Sequence, residues 1–441
     1  MRKTLLILSI TLTCSIAWQQ SVNYKIDALL DTAQHTLTAV EYVTYINNSP
    51  DSLTEIWFHL YPNAYKDRNT VWAKEMERMK NYKFLWSKKD DRGYIEIESL
   101  TINDKALKYE IDDTRMKVQL ENPLNSNDSI NFRIESLVKI PKLFSRLGRK
   151  GQHYEIVQWY PKICVYDDLG WHTDYYHTVG EFYGEFGNFD VRITLPKNFT
   201  VGATGDLIEP AEEIAFLDSF AIKGSELDDL KETKKLNRTP RREEGFKTLR
   251  FIATNVHDFA WVADKNFYLI RETVDSTTIN VLFFRKNKEW RFATDYTKDA
   301  VKYYSEWYGP YPYKNLTVVR GFQSGMEYPN LVIIGSGGSP ITRELEQVIM
   351  HEVGHQWFYG ILGSNEMDEA WLDEGINTFS EIRYFERKYG KTGNYFKTEI
   401  IPSFSERWYN KLFYYVTATN QIERPILTKS SEFANEPVPL G

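Results

Sequence analysis

His351, Glu352 and His355 lie in the stretch HEVGHQW. Two imidazoles four residues apart on a helix fall on one face, about 6 Å of axis apart. That spacing suits two nitrogen ligands to one Zn²⁺. Glu352, next to the first of them, reaches a water polarised by the metal and serves as general base. The third ligand is expected to be a carboxylate from elsewhere. Glu374, nineteen residues after His355 in EAWLDEGINTFSE, is the best placed of several acids. HExxH alone also arises by chance in pairs of core histidines. The second acidic segment weighs against that reading, because a glutamate buried beside them is costly unless paired.

These side chains need elements to hold them. Ser339 as N-cap and Pro340 at the first helical position predict a helix start, and Ile341, Leu345, Val348, Ile349 and Val353 supply its buried stripe. A second helix carries Glu374, with Leu372, Phe379 and Ile382 facing inward. Glu381, seven residues after Glu374, shares its face and either orients an imidazole from behind or is a surface acid. Thr317-Val318-Val319 reads as a strand delivering GFQSGMEYPN, and residues from Leu331 to Gly335 as another. Glu327 lies between them, either in a solvated turn or at a cleft edge where its charge meets a bound ammonium.

HEVGHQW, the nineteen-residue gap, WLDEG and GMEYPN together resemble the M1 family of zinc aminopeptidases, of gluzincin type and bacterial secreted kind. The resemblance implies one zinc per chain on His351, His355 and Glu374, with Glu352 as base. It places the family's GxMEN element on Gly325, Met326 and Glu327. There the edge near Gly325 and Met326 pairs with substrate backbone, and Glu327 holds the free α-amine. Tyr328 stands where the family more often has Asn. The implied reaction is hydrolysis of the first peptide bond of peptides with a free N-terminus. The family's oxyanion-stabilising tyrosine has no counterpart about sixty residues beyond Glu374, and Tyr409, Tyr414 and Tyr415 come too early. The helical domain that follows in the family is also missing, so the chain is expected to be a fragment or a shortened member. A thermolysin-type endopeptidase and a weakened, peptide-binding relative are the alternatives.

The implied fold has a saddle-like antiparallel β-sheet domain followed by a thermolysin-like α/β peptidase domain. The expected division is 1–17, 18–265 and 266–441, with the last incomplete at its end. Strand alternation supports the first part: Ile56, Phe58 and Leu60 share a face, as do Phe189, Val191, Ile193 and Leu195. Residues 209–247 are charged and irregular, and read as a solvated excursion or hairpin. Helical periodicity covers about Asp295 to Tyr308, with Ala300, Tyr303, Tyr304 and Trp307 inward. His172 and His177, five residues apart, are poorly spaced for a metal and more suited to bracing an interface.

The 441 residues suffice for two or three domains. A net charge of -7 with no clustered basic element excludes a nucleic-acid binder. Arg2 and Lys3, the apolar run Leu5 to Leu12 and Ser15-Ile16-Ala17 form a secretory signal, with export to a periplasmic or extracellular place, peripherally envelope-associated or free. Cys14 fits a lipobox poorly, and no later apolar run is long enough to span a bilayer. Cleavage after Ala17 leaves Cys164 as the one thiol, so packing and metal must hold the fold.

Overall fold

The computed structural model describes residues 18–433, apart from 234, 237, 394 and 398–404. The expected leader and the last eight residues lie outside the described ones. Among the described residues, strict alternation builds the first domain. In Ser21–Asp31 the inward residues are Val22, Tyr24, Ile26, Ala28 and Leu30, all buried, because successive side chains of a strand point to opposite faces. This strand pairs antiparallel with Thr36–Ile46 and parallel with Gly187–Pro196. They are the centre of an eight-stranded sheet that runs out to Phe246–Val256 on one side and Ser129–Lys139 and Tyr94–Ile102 on the other. A four-stranded sheet around Leu53–His59 and Arg115–Leu124 packs Ile56 and Phe58 into the same core. Another, ordered Thr200–Ala203, Trp261–Asp264, His153–Ile156 and Gly148–Lys150, leads to the junction with the second domain.

From Phe267 the chain enters a five-stranded mixed sheet, in the order Phe267–Val274, Thr277–Phe284, Asn315–Arg320, Leu331–Ile334, Met326–Tyr328. The middle strands run parallel, and Met326–Tyr328 turns back antiparallel as an edge. Helices Ala293–Tyr308 and Glu344–Phe358 pack against this sheet, and Ile376–Tyr389 packs against the second of them. The architecture is therefore a sheet-rich domain followed by an α/β domain.

Three expectations need correction. Residues 209–247 contain two helices, Ala211–Phe220 and Ser225–Thr233, whose Leu217, Phe220, Leu227 and Leu230 are buried. Their apolar residues are sparse but helically spaced, and the surrounding charges masked the pattern. The helix after Ser339 starts only at Glu344. Ser339 Oγ instead accepts the backbone N–H groups of Ile341 and Thr342 in a turn, which leaves Ile341 exposed. Phe379 is also exposed; the buried face of its helix is Asn377, Ser380, Glu381, Tyr384 and Phe385. Polar residues occupy that face because it packs against the site rather than against an oily core.

Candidate active site

The helix Glu344–Phe358 is buried almost all round, from Leu345 and Ile349 to Trp357 and Phe358. Such burial makes an unpaired polar side chain costly, and most of those on this helix are paired. Glu346 does so by accepting from Tyr384 Oη at 2.6 Å, Lys388 Nζ at 2.6 Å and Tyr389 Oη at 2.8 Å, which ties the helix to Ile376–Tyr389. Gln356 accepts from the Asn330 N–H at 2.8 Å and donates to the Tyr328 carbonyl at 2.9 Å. It thereby clamps the edge strand to the helix. Asn377 Nδ2 donates to the His351 carbonyl at 2.7 Å. A side chain at Gly354 would meet Asn377 Oδ1 at 1.9 Å and Tyr304 Oη at 2.5 Å, so only glycine allows these helices to close.

On that frame, one turn apart, the two imidazoles converge with Nε2 atoms 3.1 Å from each other. Glu374 Oε2 is 3.2 Å from His351 Nε2 and 3.7 Å from His355 Nε2. Atoms bound about 2.0–2.1 Å from a tetrahedral zinc stand about 3.3 Å apart, so the donor set fits that ion. Glu374 comes from a π-helical turn, Trp371–Gly375, that opens the following helix. This turn lets consecutive acids serve different rings: Glu374 faces the Nε2 pair, while Asp373 Oδ1 lies 2.5 Å from His355 Nδ1. Glu381 Oε2 stands 3.3 Å from His351 Nδ1, and its Oε1 accepts from Gln347 Nε2. Glu327, His355 and Asp373 also lie close together, but Asp373 Oδ1 is already taken up in a hydrogen bond to the ring.

Asp373 was not singled out in the sequence, nor were Asn377 and Gln356. The signal for Asp373 was its adjacency to Glu374. Periodicity hid it, since neighbours on a regular helix diverge by about 100° and the π turn alters that angle.

Burial works against charge on His351, but Glu374 and Glu381 outweigh it and push the imidazole up to about 11. Burial likewise disfavours charge on His355, and Asp373 overcomes it to raise that ring. Glu374 is held down at about 2, where hydrogen bonding from His351 and the charge of His355 outweigh its desolvation. The acids that favour a proton on these rings would equally neutralise a divalent cation in its place. Burial pushes Glu352 up to about 7, against the pull of both histidines.

Glu352 Oε2 and Glu327 Oε1 are buried and have no hydrogen-bond partner among the described residues. Glu327 is 4% exposed, on the edge strand Met326–Tyr328. Burial drives its carboxyl well up, with Glu181 and Glu352 adding to the shift. A Cβ at Gly325 would fall 1.7 Å from Glu352 Oε1, so glycine there is what lets the Glu352 carboxyl lie against the strand. Behind Met326, Arg146 Nη2 holds Glu181 Oε1 at 2.6 Å while its Nε contacts Met326 Sδ at 3.1 Å. Tyr328 Oη accepts from Gln158 Nε2 at 2.8 Å; Gln158 is buried, has φ of 45° and keeps Oε1 without a partner.

His172 and His177 are not brought together on a metal. His172 Nε2 lies 2.8 Å from Asp167 Oδ2 and its Nδ1 3.3 Å from Asn365 Nδ2, bridging the two domains. His177 Nδ1 lies 2.6 Å from Glu75 Oε1. Cys164 is a buried free thiol whose pKa burial raises. Tyr409, Tyr414 and Tyr415 are exposed on the helix Glu406–Thr419.

With this geometry in hand, residues 292–411 match the model of the Peptidase family M1 domain. Mitochondrial aminopeptidase 2 of Saccharomyces cerevisiae is 26% identical over 179 residues, which cover 38% of this chain and 18% of that protein. Puromycin-sensitive aminopeptidase of Caenorhabditis elegans is 23% identical over 112 residues, 22% of this chain and 12% of that one. The M1 zinc metallopeptidase of Deinococcus radiodurans superposes with a TM-score of 0.55 at 14% identity, covering 95% of this chain and 78% of that chain. The matches span under a fifth of the length of the curated relatives. Fold, donor set and family model together define a metallopeptidase domain.

Proposed function

We propose that this chain is a zinc aminopeptidase that releases the N-terminal residue of peptides. The observation that carries the reading is Glu327: a buried carboxylate oxygen without a partner among the described residues, on an edge strand beside the base Glu352 and the His351, His355, Glu374 donors. Zinc on those donors would supply Lewis-acid polarisation of the scissile carbonyl and of a water. Glu352, buried beside those donors, would take a proton from that water and pass it to the leaving amine. Glu381 and Asp373 hold the rings in orientation through Nδ1. The outer edge of Met326–Tyr328, last in its sheet, offers backbone groups at Gly325 and Met326 to an extended substrate. Glu327 then meets the substrate ammonium, and only the first peptide bond reaches the metal. Residues 1–17 carry a leader in this reading, so the working place is outside the cytoplasm; N-terminal sequencing of the mature protein from the expressing cells tests that.

Glu327→Ala tests the exopeptidase assignment. A charge-assisted hydrogen bond to the ammonium is worth roughly 1.5–3 kcal/mol, so kcat/KM on free N-termini should fall about 10- to 100-fold. The already poor rate on acetylated peptides should hardly change, and zinc content should stay the same. Equal losses on both substrates would mark Glu327 as structural and favour an endopeptidase.

A further inference from the structure

A second polar centre lies where the two domains meet. His153 is 2% exposed, with Nδ1 3.1 Å from Asp264 Oδ2 and Nε2 3.0 Å from Glu155 Oε1. Burial would lower this imidazole, but its two carboxylate partners overcome that and raise it. The charged ring offsets one of its two acids. Asp264 is spent further, since Oδ1 accepts both the backbone and side-chain N–H of Asn266.

Above this centre opens a cavity of about 540 Å³, within the range of small-molecule sites, about 300–1,000 Å³. Lys150, Arg242, Arg285 and Lys286 line it, and its acid is the occupied Asp264. None of the four cations has a carboxylate within ion-pair distance among the described residues. The contrast with Arg241 is direct, because that guanidinium is paired with Glu213 at 2.5 Å. Four like charges gathered round one concavity repel each other and concentrate counter-ions there. The floor is aromatic: Phe322 has Lys150 Nζ 4.1 Å and Arg320 Cζ 5.4 Å from its centroid, and Phe284 lies 5.6 Å from it.

We propose that this cavity binds a small multivalent anion, a phosphate ester or a polycarboxylate, whose charge is met by Lys150, Arg242, Arg285 and Lys286 and whose apolar part rests on Phe322 and Phe284. The four cations are exposed at the rim of this open cavity, and a monovalent ion would leave most of their charge unanswered. The site is distinct from the peptidase centre but not remote from it in the chain. Phe322 N–H is held by Glu155 Oε1 at 2.7 Å, and the same loop runs on to Gly325 and Glu327.

Calorimetric titration of the whole zinc-loaded chain at about 0.15 M salt tests this, with phenyl phosphate and phthalate as separate probes because both chelate zinc weakly. One saturable site per chain is expected. Tighter binding of phenyl phosphate assigns the phosphate-ester class, and tighter binding of phthalate the carboxylate class. The double variant Arg285→Ala/Lys286→Ala should weaken binding at least tenfold, with unchanged zinc content and peptide hydrolysis; Lys150→Ala/Arg242→Ala should do the same. No saturable heat with either probe, or undiminished binding in both double variants, overturns the proposal.

Discussion

Two histidine–carboxylate centres among the described residues, joined by the loop 321–325, treat the imidazole in opposite ways. At the junction, both nitrogens of His153 are closed off by Asp264 and Glu155. In the peptidase domain, Glu381 and Asp373 take the Nδ1 side of His351 and His355, leaving the two Nε2 atoms to face each other and Glu374. Acids surround the rings in both places. What suits the second to a metal is that each ring keeps one nitrogen unspent and the spare ones converge. Glycine marks both ends of the loop. A Cβ at Gly321 would reach Glu155 Oε1 at 2.8 Å, and one at Gly325 would strike Glu352 Oε1 at 1.7 Å. Each centre is built by letting backbone approach a carboxylate closely.

The comparison breaks most severely at the base. Glu352→Gln keeps shape and metal but cannot accept a proton, so hydrolysis should fall about 10²- to 10⁴-fold with zinc retained by elemental analysis. Activity within about tenfold of wild type would remove Glu352 from that role.

Metal affinity separates the two centres next. Asp373→Ala should weaken zinc binding about 10- to 100-fold by freeing the Nδ1 side of His355. Asp264→Ala, which frees the same atom of His153, should leave zinc affinity unchanged in competition with a chelator. His351→Ala, which removes a ligand, should abolish stoichiometric zinc altogether.

The smallest effect is one of pH. His153 has a raised folded-state pKa, so the stability it contributes is fully present below about pH 6.5 and is lost as pH rises through the folded value. Buried His59 and His257 run the other way. Both are lowered to about 3, by burial first and then the charge of Lys162, and their contribution is lost as pH falls from about 6.5 towards that value. His153→Gln should therefore cost about 1–2 kcal/mol in urea unfolding at pH 6, and at pH 9 the cost should be smaller to the extent that the ring has lost its proton there. An equal cost at both, with the ring neutral at pH 9, would show that it acts by packing and not by charge.

Much of this was legible in the amino-acid order. Alternation announced the strands at Ile56 and Phe58 and at Phe189 to Leu195, because a strand's side chains must alternate faces whatever the fold. The i,i+4 spacing of His351 and His355 announced a shared helix face for the same local reason. Local spacing also misled: the stripe expected at Ile341 and Phe379 is exposed, since a helix's true start and buried face depend on what packs against it.

The sequence by itself determined which residues could act together: two imidazoles on one helix face with a glutamate next to the first, a carboxylate nineteen residues on, and Glu327 ahead of them between strands. Only the tertiary structure decided how each is held. The π turn at Trp371–Gly375 sends Asp373 to one histidine and Glu374 between both. Gln356 clamps the edge strand on which Glu327 lies, and Gly325 gives the base its space. These are contacts between groups far apart along the chain, and local spacing does not encode them. Packing selects the partner of a buried carboxylate, because leaving it unpaired costs more than any local conformational preference.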